Sequence, residues 1–532
     1  MDDRHSHYDV IVVGAGLGGL YAVHRFRRDG LDVRCLESAA GVGGVWRHNR
    51  YPGARVDIES HDYCYYFSED LYREWNWTER YASQPELLAY LEHVAERFDL
   101  NRHIRFDTRM EGADWRPGEK RWEVRTSTGE TLTADFLVMA TGNLSEARTP
   151  DFPGIDDFDG QWVMTAHWPE EPVELEGKRI GVVGTGSSGA QVIPVLADRA
   201  AELHVFQRTP NFVVPARNGA PVAEVINKVR ADYATERAWM RAAGGNHVQY
   251  FLADFDSLDA EGRRSLLEQQ WERGGHGMSY VFLTQGVFKE HNDVVAEFVR
   301  EKIRETVKDP ETAENLSPYD HPIGSRRLVI DTNYYETFNR DHVSLVDLRE
   351  EPIDRITPHG IRTTAREYPL DLLVFALGFD AYVGAINATD IRNADGERPA
   401  DGWQRRPLTL LGLMTKGFPN FFFLTGPGSP ATLANLFAEN EYHVDWVADA
   451  ISHLRQRGYR TIEPTDEGQR EWTAVLDKTS APLLRRHVRN YMTHSNPDGT
   501  RYFIPYAGGL HTYIKLADEI AANGYRGFTL GQ

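Results

Sequence analysis

Cysteine is nearly absent from this chain of 532 residues: only Cys35 and Cys64 are present, and they form no CxxC pair. That excludes a zinc ribbon and dithiol redox chemistry, and it suits a reducing compartment. No apolar run approaches the roughly eighteen residues of a spanning helix. The polar start, MDDRHSH, lacks the charged region and cleavage site of a signal peptide. These absences read as a cytoplasmic protein without integral membrane association. Positive charge is scarce too, with 59 Lys and Arg against 79 Asp and Glu and a formal charge of −20, which argues against nucleic acid or an anionic membrane as partner. There is no Gly-x-Ser-x-Gly elbow and no spaced set of metal ligands, so neither a hydrolase nor a metal site is expected. Tandem repeats and low-complexity stretches are missing as well.

What is present is length and glycine. The chain is too long for one core, so two or three domains are expected. The apolar run Tyr8–Val13 reads as a buried parallel strand and leads into Gly14-Ala-Gly16-Leu-Gly-Gly19. In such a loop the first glycine permits the tight turn. The second lets the backbone approach a pyrophosphate, and the third lets the following helix, Leu20 to Arg28, pack on the strand. That helix points its N-terminus at the phosphates. The next strand, Asp32 to Leu36, ends at Glu37, where a carboxylate can accept the ribose hydroxyls of an adenosine. A second unit has the same layout. Its strand, Lys178 to Val183, leads into Gly184-Thr185-Gly186-Ser187-Ser188-Gly189, followed by a helix from Ala190 to Leu196 and a strand from Leu203 to Phe206. Here the strand is followed by Gln207-Arg208-Thr209 with no acid. An acid would repel a 2′-phosphate, whereas Arg208 can hold one. The first site therefore reads as FAD and the second as NADPH.

Two near copies, Asp135-Phe-Leu-Val-Met-Ala-Thr141-Gly142 and Asp371-Leu-Leu-Val-Phe-Ala-Leu-Gly378, read as buried strands that pass close to the two dinucleotides. The expected fold is α/β, with two Rossmann-like dinucleotide-binding domains and a helical insertion in the NADPH domain. Residues 1–145 and 380–532 would form a discontinuous FAD domain, 150–220 and 330–378 the NADPH domain, and 221–329 the insertion. Helical periodicity is clearest from Asn292 to Val307 and from Glu441 to Arg457.

The segment from Gly43 to Asp57, Gly-Gly44-Val45-Trp46-Arg-His-Asn-Arg-Tyr-Pro-Gly-Ala-Arg55-Val-Asp57, is the most specific in the chain. It resembles a long motif of type I Baeyer–Villiger monooxygenases and matches it at every specified position. Phe158-Asp-Gly-Gln-Trp-Val-Met164-Thr-Ala-His167-Trp168-Pro169 resembles the family's linker motif, with Met164 in place of the motif histidine. His321-Pro-Ile-Gly-Ser-Arg326-Arg327 resembles the segment that carries a Lys-Arg pair in the family. The resemblance covers nearly the whole chain, closest to the phenylacetone and steroid-type ketone monooxygenases. It implies an FAD- and NADPH-dependent enzyme that inserts one atom of O2 beside the carbonyl of a hydrophobic ketone, through a C4a-peroxyflavin and a Criegee adduct, giving an ester or lactone. It implies Arg327 as the catalytic guanidinium, Asp57 as the group that holds it, Arg326 near the 2′-phosphate and Arg55 on the nicotinamide side. Tyr63, Met110 and Leu436 join the loop residues already named as cofactor contacts. Asn490–Gly499 departs from the family pattern, so its contacts are unmapped. The alternatives are a flavin N- or S-oxygenating monooxygenase and a flavin-binding protein without turnover. The ketone and the oligomeric state are not legible.

Overall fold

The computed structural model describes residues 6–247 and 250–532; the polar residues 1–5 lie outside the described part. The strand His7–Val13 is buried along most of its length because its neighbours cover both edges. Val33–Leu36 pairs with it in parallel on one side and Thr131–Met139 on the other. The resulting eight-stranded sheet recruits two strands from the distant C-terminal part: Phe421–Phe423 pairs in parallel with Leu137–Met139, and Asp390–Arg392 with Gly112–Asp114. The first dinucleotide unit is thus assembled from both ends of the chain.

The second unit is a five-stranded, wholly parallel sheet. Its order is Val343–Asp347, Glu202–Gln207, Arg179–Val183, Leu372–Phe375 and Gln161–Met164. Helix Ser187–Ala197 packs on one face and the three-stranded sheet of Ile353–Thr357, Gly360–Thr363 and Glu367–Pro369 on the other, and burial on both faces explains the continuous apolar runs. The two largest hydrophobic cores gather around helices. One surrounds the helices Leu17–Arg28 and Leu436–Arg457, and the other the helix Ser187–Ala197.

Two readings need correction. The helix expected from Glu441 begins at Leu436, five residues before the apolar periodicity starts, because Asn435 caps it by accepting the Phe437 N–H at 3.0 Å. Its first turns bury Glu439, Asn440 and Glu441, so their polarity hid them from pattern reading. The segment 221–329 also does not pack as one insertion into the second domain. Val229, Tyr233 and Met240, from the helices Ala223–Ala231 and Tyr233–Ala242, lie in the first core with Tyr66 and Tyr72. Leu267, Val295, Phe298 and Ile303 lie in the second. Both parts are amphipathic, and periodicity does not say which core an apolar face will meet. Among the described residues no helix is long and apolar enough to cross a membrane.

Candidate active site

The two glycine loops solve the same packing problem with the same three positions. Gly14 and Gly184 have φ of +99° and +109°, and a Cβ on them would lie 2.8 Å from the Ala140 carbonyl oxygen and 2.5 Å from that of Ala376. These carbonyls end the two near-copied strands, so each strand end is seated against its phosphate loop. Gly19 and Gly189 sit behind the loops: a Cβ there would lie 1.8 Å from the Gly14 oxygen and 2.2 Å from the Gly184 oxygen. The middle glycines differ. A Cβ on Gly186 would meet no protein atom within 4 Å, and one on Gly16 only the Gly44 Cα at 3.4 Å. The chain itself does not demand glycine there. The room faces the cleft, as a site for phosphates requires.

That cleft, about 2030 Å³, runs from one loop to the other. Every residue named from the sequence as catalytic or cofactor-binding lines it except Gly19 and Gly189, which pack the helices from behind. Gly44, Val45, Trp46, Tyr63, Met110, Thr141, Gly142 and Leu436 surround the first loop's side, and Thr185, Ser187, Ser188 and Thr209 the second's. Glu37 is oriented by backbone, accepting the Ala15 N–H at 2.6 Å and the Ala39 N–H at 2.8 Å. At the equivalent position of the second unit, Arg208 is exposed to the cleft. Arg326 donates to Asn211 Oδ1 at 3.2 Å. Burial lowers its pKa, Asp320 pulls the other way, and the like charge of Arg208 lowers it further. Two guanidiniums that repel one another across open space suit a dianionic phosphate between them.

The catalytic candidates come from segments 270 positions apart in the chain. Asp57 follows a Tyr51-Pro52-Gly53 turn that docks on the second unit: Tyr51 Oη donates to Gln191 Oε1 at 2.8 Å, and Gln191 Nε2 donates to the Arg55 carbonyl at 3.1 Å. Gly53, at φ +86°, has no room for a side chain, since its Cβ would lie 2.5 Å from the Gln191 oxygen. Arg327 precedes the strand Val329–Asp331, which pairs in parallel with Val213–Pro215. Its guanidinium grips Asp57 with two bonds, Nε to Oδ2 at 2.5 Å and Nη2 to Oδ1 at 2.8 Å, while Nη1 donates to the Thr432 carbonyl at 2.9 Å. Both side chains keep 27% of their surface open. Burial opposes the Asp57 charge, but Arg327 and then His276, whose Nε2 lies 3.3 Å away, hold the carboxyl well below its usual range. Burial works against Arg327 as well, and Asp57 more than offsets it, leaving the guanidinium above its ordinary value. The result is a fixed, ionised, forked donor facing the cleft.

Some residues behave differently from expectation. Arg55 is held by Glu79 at 2.6 Å and by the Tyr81 carbonyl at 3.1 Å, so its head is already engaged at the cleft wall. Met164 is the last residue of an edge strand and packs against the core that contains Val183, Phe206 and Phe375. His167 is exposed on the cleft, its ring 5.7 Å from that of His48. The unmapped segment forms a hairpin of Thr493–Ser495 and Arg501–Phe503, and Asn490, Tyr491, Thr493 and His494 line the cleft. Sequence reasoning missed His276 and Thr432. The Gly274-Gly275-His276-Gly277 run was the available signal for the first, and the place of Thr432 four residues before Leu436 was the signal for the second. The structure also draws His61, Asp62 and His247 together, with possible ligand atoms within 4.8 Å of one another. Asp62 accepts the His247 backbone N–H at 2.7 Å and pairs with its Nδ1 at 2.6 Å. Spacing in the sequence does not disclose such a group, because 185 residues separate Asp62 from His247.

Two parallel dinucleotide units facing one cleft, with a guanidinium held between them, define a two-nucleotide flavoprotein oxygenase. The Flavin-binding monooxygenase-like family matches residues 7–234. A solved structure of an oxidised steroid monooxygenase bound to NADP is 47% identical, covers 99% of both chains and superimposes with a TM-score of 0.94. A Baeyer–Villiger monooxygenase of Pseudooceanicola batsensis is 38% identical over 534 residues, 98% of this chain and 96% of the relative. A phenazine N-monooxygenase of Lysobacter antibioticus is 38% identical over 544 residues, 100% and 98% of the two chains. The chain belongs to this flavin-binding family, within its Baeyer–Villiger monooxygenases.

Proposed function

We propose that this protein is an FAD- and NADPH-dependent Baeyer–Villiger monooxygenase, with FAD on the Gly14–Gly19 loop, NADPH on the Gly184–Gly189 loop and Arg327 as the catalytic guanidinium. The observation that carries the reading is the forked Arg327–Asp57 pair at the meeting of the two units. When bound, FAD reduced by NADPH supplies the activation of O2. The rest is done by the chain. A ketone oxygen gains negative charge when its carbon is attacked, and a permanently charged guanidinium already oriented by Asp57 and the Thr432 carbonyl stabilises that charge without reorganising. Residues 1–145 and 380–532 make the FAD domain in this reading, and 150–220 with 330–378 the NADPH domain. Two buried, free thiols suit a cytoplasmic location.

The test is a panel of ketones, amines and N-heteroaromatics, with NADPH oxidation followed and products identified by mass. Ester or lactone from ketones is expected. N-oxides alone would overturn the reading in favour of N-oxygenation, the second reading, which the likeness to the phenazine enzyme favours.

The nucleotide assignment carries its own prediction. Arg208→Ala is expected to raise KM for NADPH about 10- to 150-fold while leaving KM for NADH in place. The cost is that of one charge-assisted phosphate contact, roughly 1.5–3 kcal/mol. Equal use of the two nucleotides by the unaltered protein would contradict it.

A further inference from the structure

Beside Arg327 a smaller chamber of about 90 Å³ opens off the cleft, sharing Asp57, Ile58, Arg326, Arg327, Thr432 and Ala434 with it. Its charge is unlike that of the protein as a whole. Five arginines line it, Arg80, Arg273, Arg326, Arg327 and Arg485, against two acidic residues, Asp57 and Glu59. In a chain of formal charge −20, such an excess is a local feature that needs a reason. Both carboxylates are already committed, Asp57 to Arg327 and Glu59 to Arg80, with bonds of 2.5 and 2.9 Å in the second pair. Arg326 belongs with Arg208 at the nucleotide end. Arg485 is different. It is half-buried, and no carboxylate of the described residues lies within ion-pair distance of it. Its backbone is fixed, the carbonyl accepting Asn490 Nδ2 at 2.8 Å. It also lies close to the reacting end: burial raises the Tyr491 phenol, and the charges of Arg327 and Arg485 both pull it back. Tyr382, whose phenol is in the field of Arg485, pairs at 2.6 Å with the Oγ1 of Thr432, the residue whose carbonyl holds Arg327.

Resting on the function proposed above, we infer that the ketone taken by this enzyme carries a carboxylate, bound by Arg485 while its carbonyl lies at Arg327. A half-buried guanidinium with no carboxylate partner among the described residues has given up part of its hydration, and a bidentate carboxylate restores it with direction. A neutral ketone of the same shape leaves that group unsatisfied.

The experiment compares 6-oxoheptanoate with 6-oxoheptanamide, which differ in charge and little in shape, on the holoenzyme. The acid is expected to have a kcat/KM at least about tenfold higher, carried by KM. Arg485→Gln should bring the ratio to about one, and Arg485→Lys should restore part of the preference. Flavin content and circular dichroism check that the variants fold. Calorimetric titration of the same two compounds reads the site without turnover. Equal Kd for acid and amide, or a preference that survives Arg485→Gln, overturns the inference. Preferential binding of the acid with no ester formed from any ketone leaves the carboxylate site standing and strikes the proposed function instead.

Discussion

Arg327→Ala is expected to end ester formation while leaving a yellow protein that still oxidises NADPH. The guanidinium is held in a two-bond fork by the Asp57 carboxylate and steadied by the Thr432 carbonyl, with part of its surface still open to a ligand. Removing a single preorganised donor of this kind costs about 3 kcal/mol, or 10²- to 10³-fold in kcat. A full positive charge should reach the upper end. FAD should stay, because its phosphate loop and Glu37 lie elsewhere in the first unit. Oxygen consumption should then appear as hydrogen peroxide. Arg327→Lys keeps the charge but cannot span both Asp57 oxygens, and should remain severely impaired. Asp57→Ala should be milder, since the Thr432 carbonyl still orients Nη1. The measurements are ester by mass analysis, peroxide released per NADPH, and flavin content. Ester formation by Arg327→Ala within tenfold of the unaltered protein would falsify the assignment.

How the pair forms shows what a sequence discloses. Local chemistry was legible. Both phosphate loops, the acid after one strand and the arginine after the other, and the Tyr-Pro-Gly turn all work within a few residues of themselves. The two sheets followed, because parallel strands buried on both faces leave continuous apolar runs. What needed the structure were contacts between residues far apart in the chain. Asp57 meets Arg327 across 270 positions and His276 across more than two hundred. The Tyr51 turn is fastened to Gln191, so the position of Asp57 depends on the second domain. Polar residues buried by tertiary packing, such as Glu439 and Glu441, looked like surface and shortened a helix. Periodicity found the helices of the 221–329 segment and could not say that they divide between two cores.

The structure also sharpens what the glycines are for, and with it the second large effect. Gly16→Ala is expected to fold and to be colourless. The added Cβ would touch only the Gly44 Cα, at 3.4 Å, a contact met by a shift of a few tenths of an ångström, and the φ of Gly16 is −77°, ordinary for alanine. Within the protein, the exchange is thus nearly free. The methyl instead occupies the face of the loop on which the flavin's pyrophosphate must lie against backbone N–H groups. Flavin bound per protein should fall at least about tenfold, while circular dichroism and thermal unfolding match those of the flavin-stripped unaltered protein. Gly19→Ala separates the two causes. Its Cβ would stand 1.8 Å from the Gly14 oxygen, so the helix Leu17–Arg28 must move off the strand, and the protein should be insoluble or unfold at much lower temperature. If Gly16→Ala binds flavin as the unaltered protein does, the first loop is not the FAD site. If it fails to fold, the glycine is there for the chain and not for the cofactor.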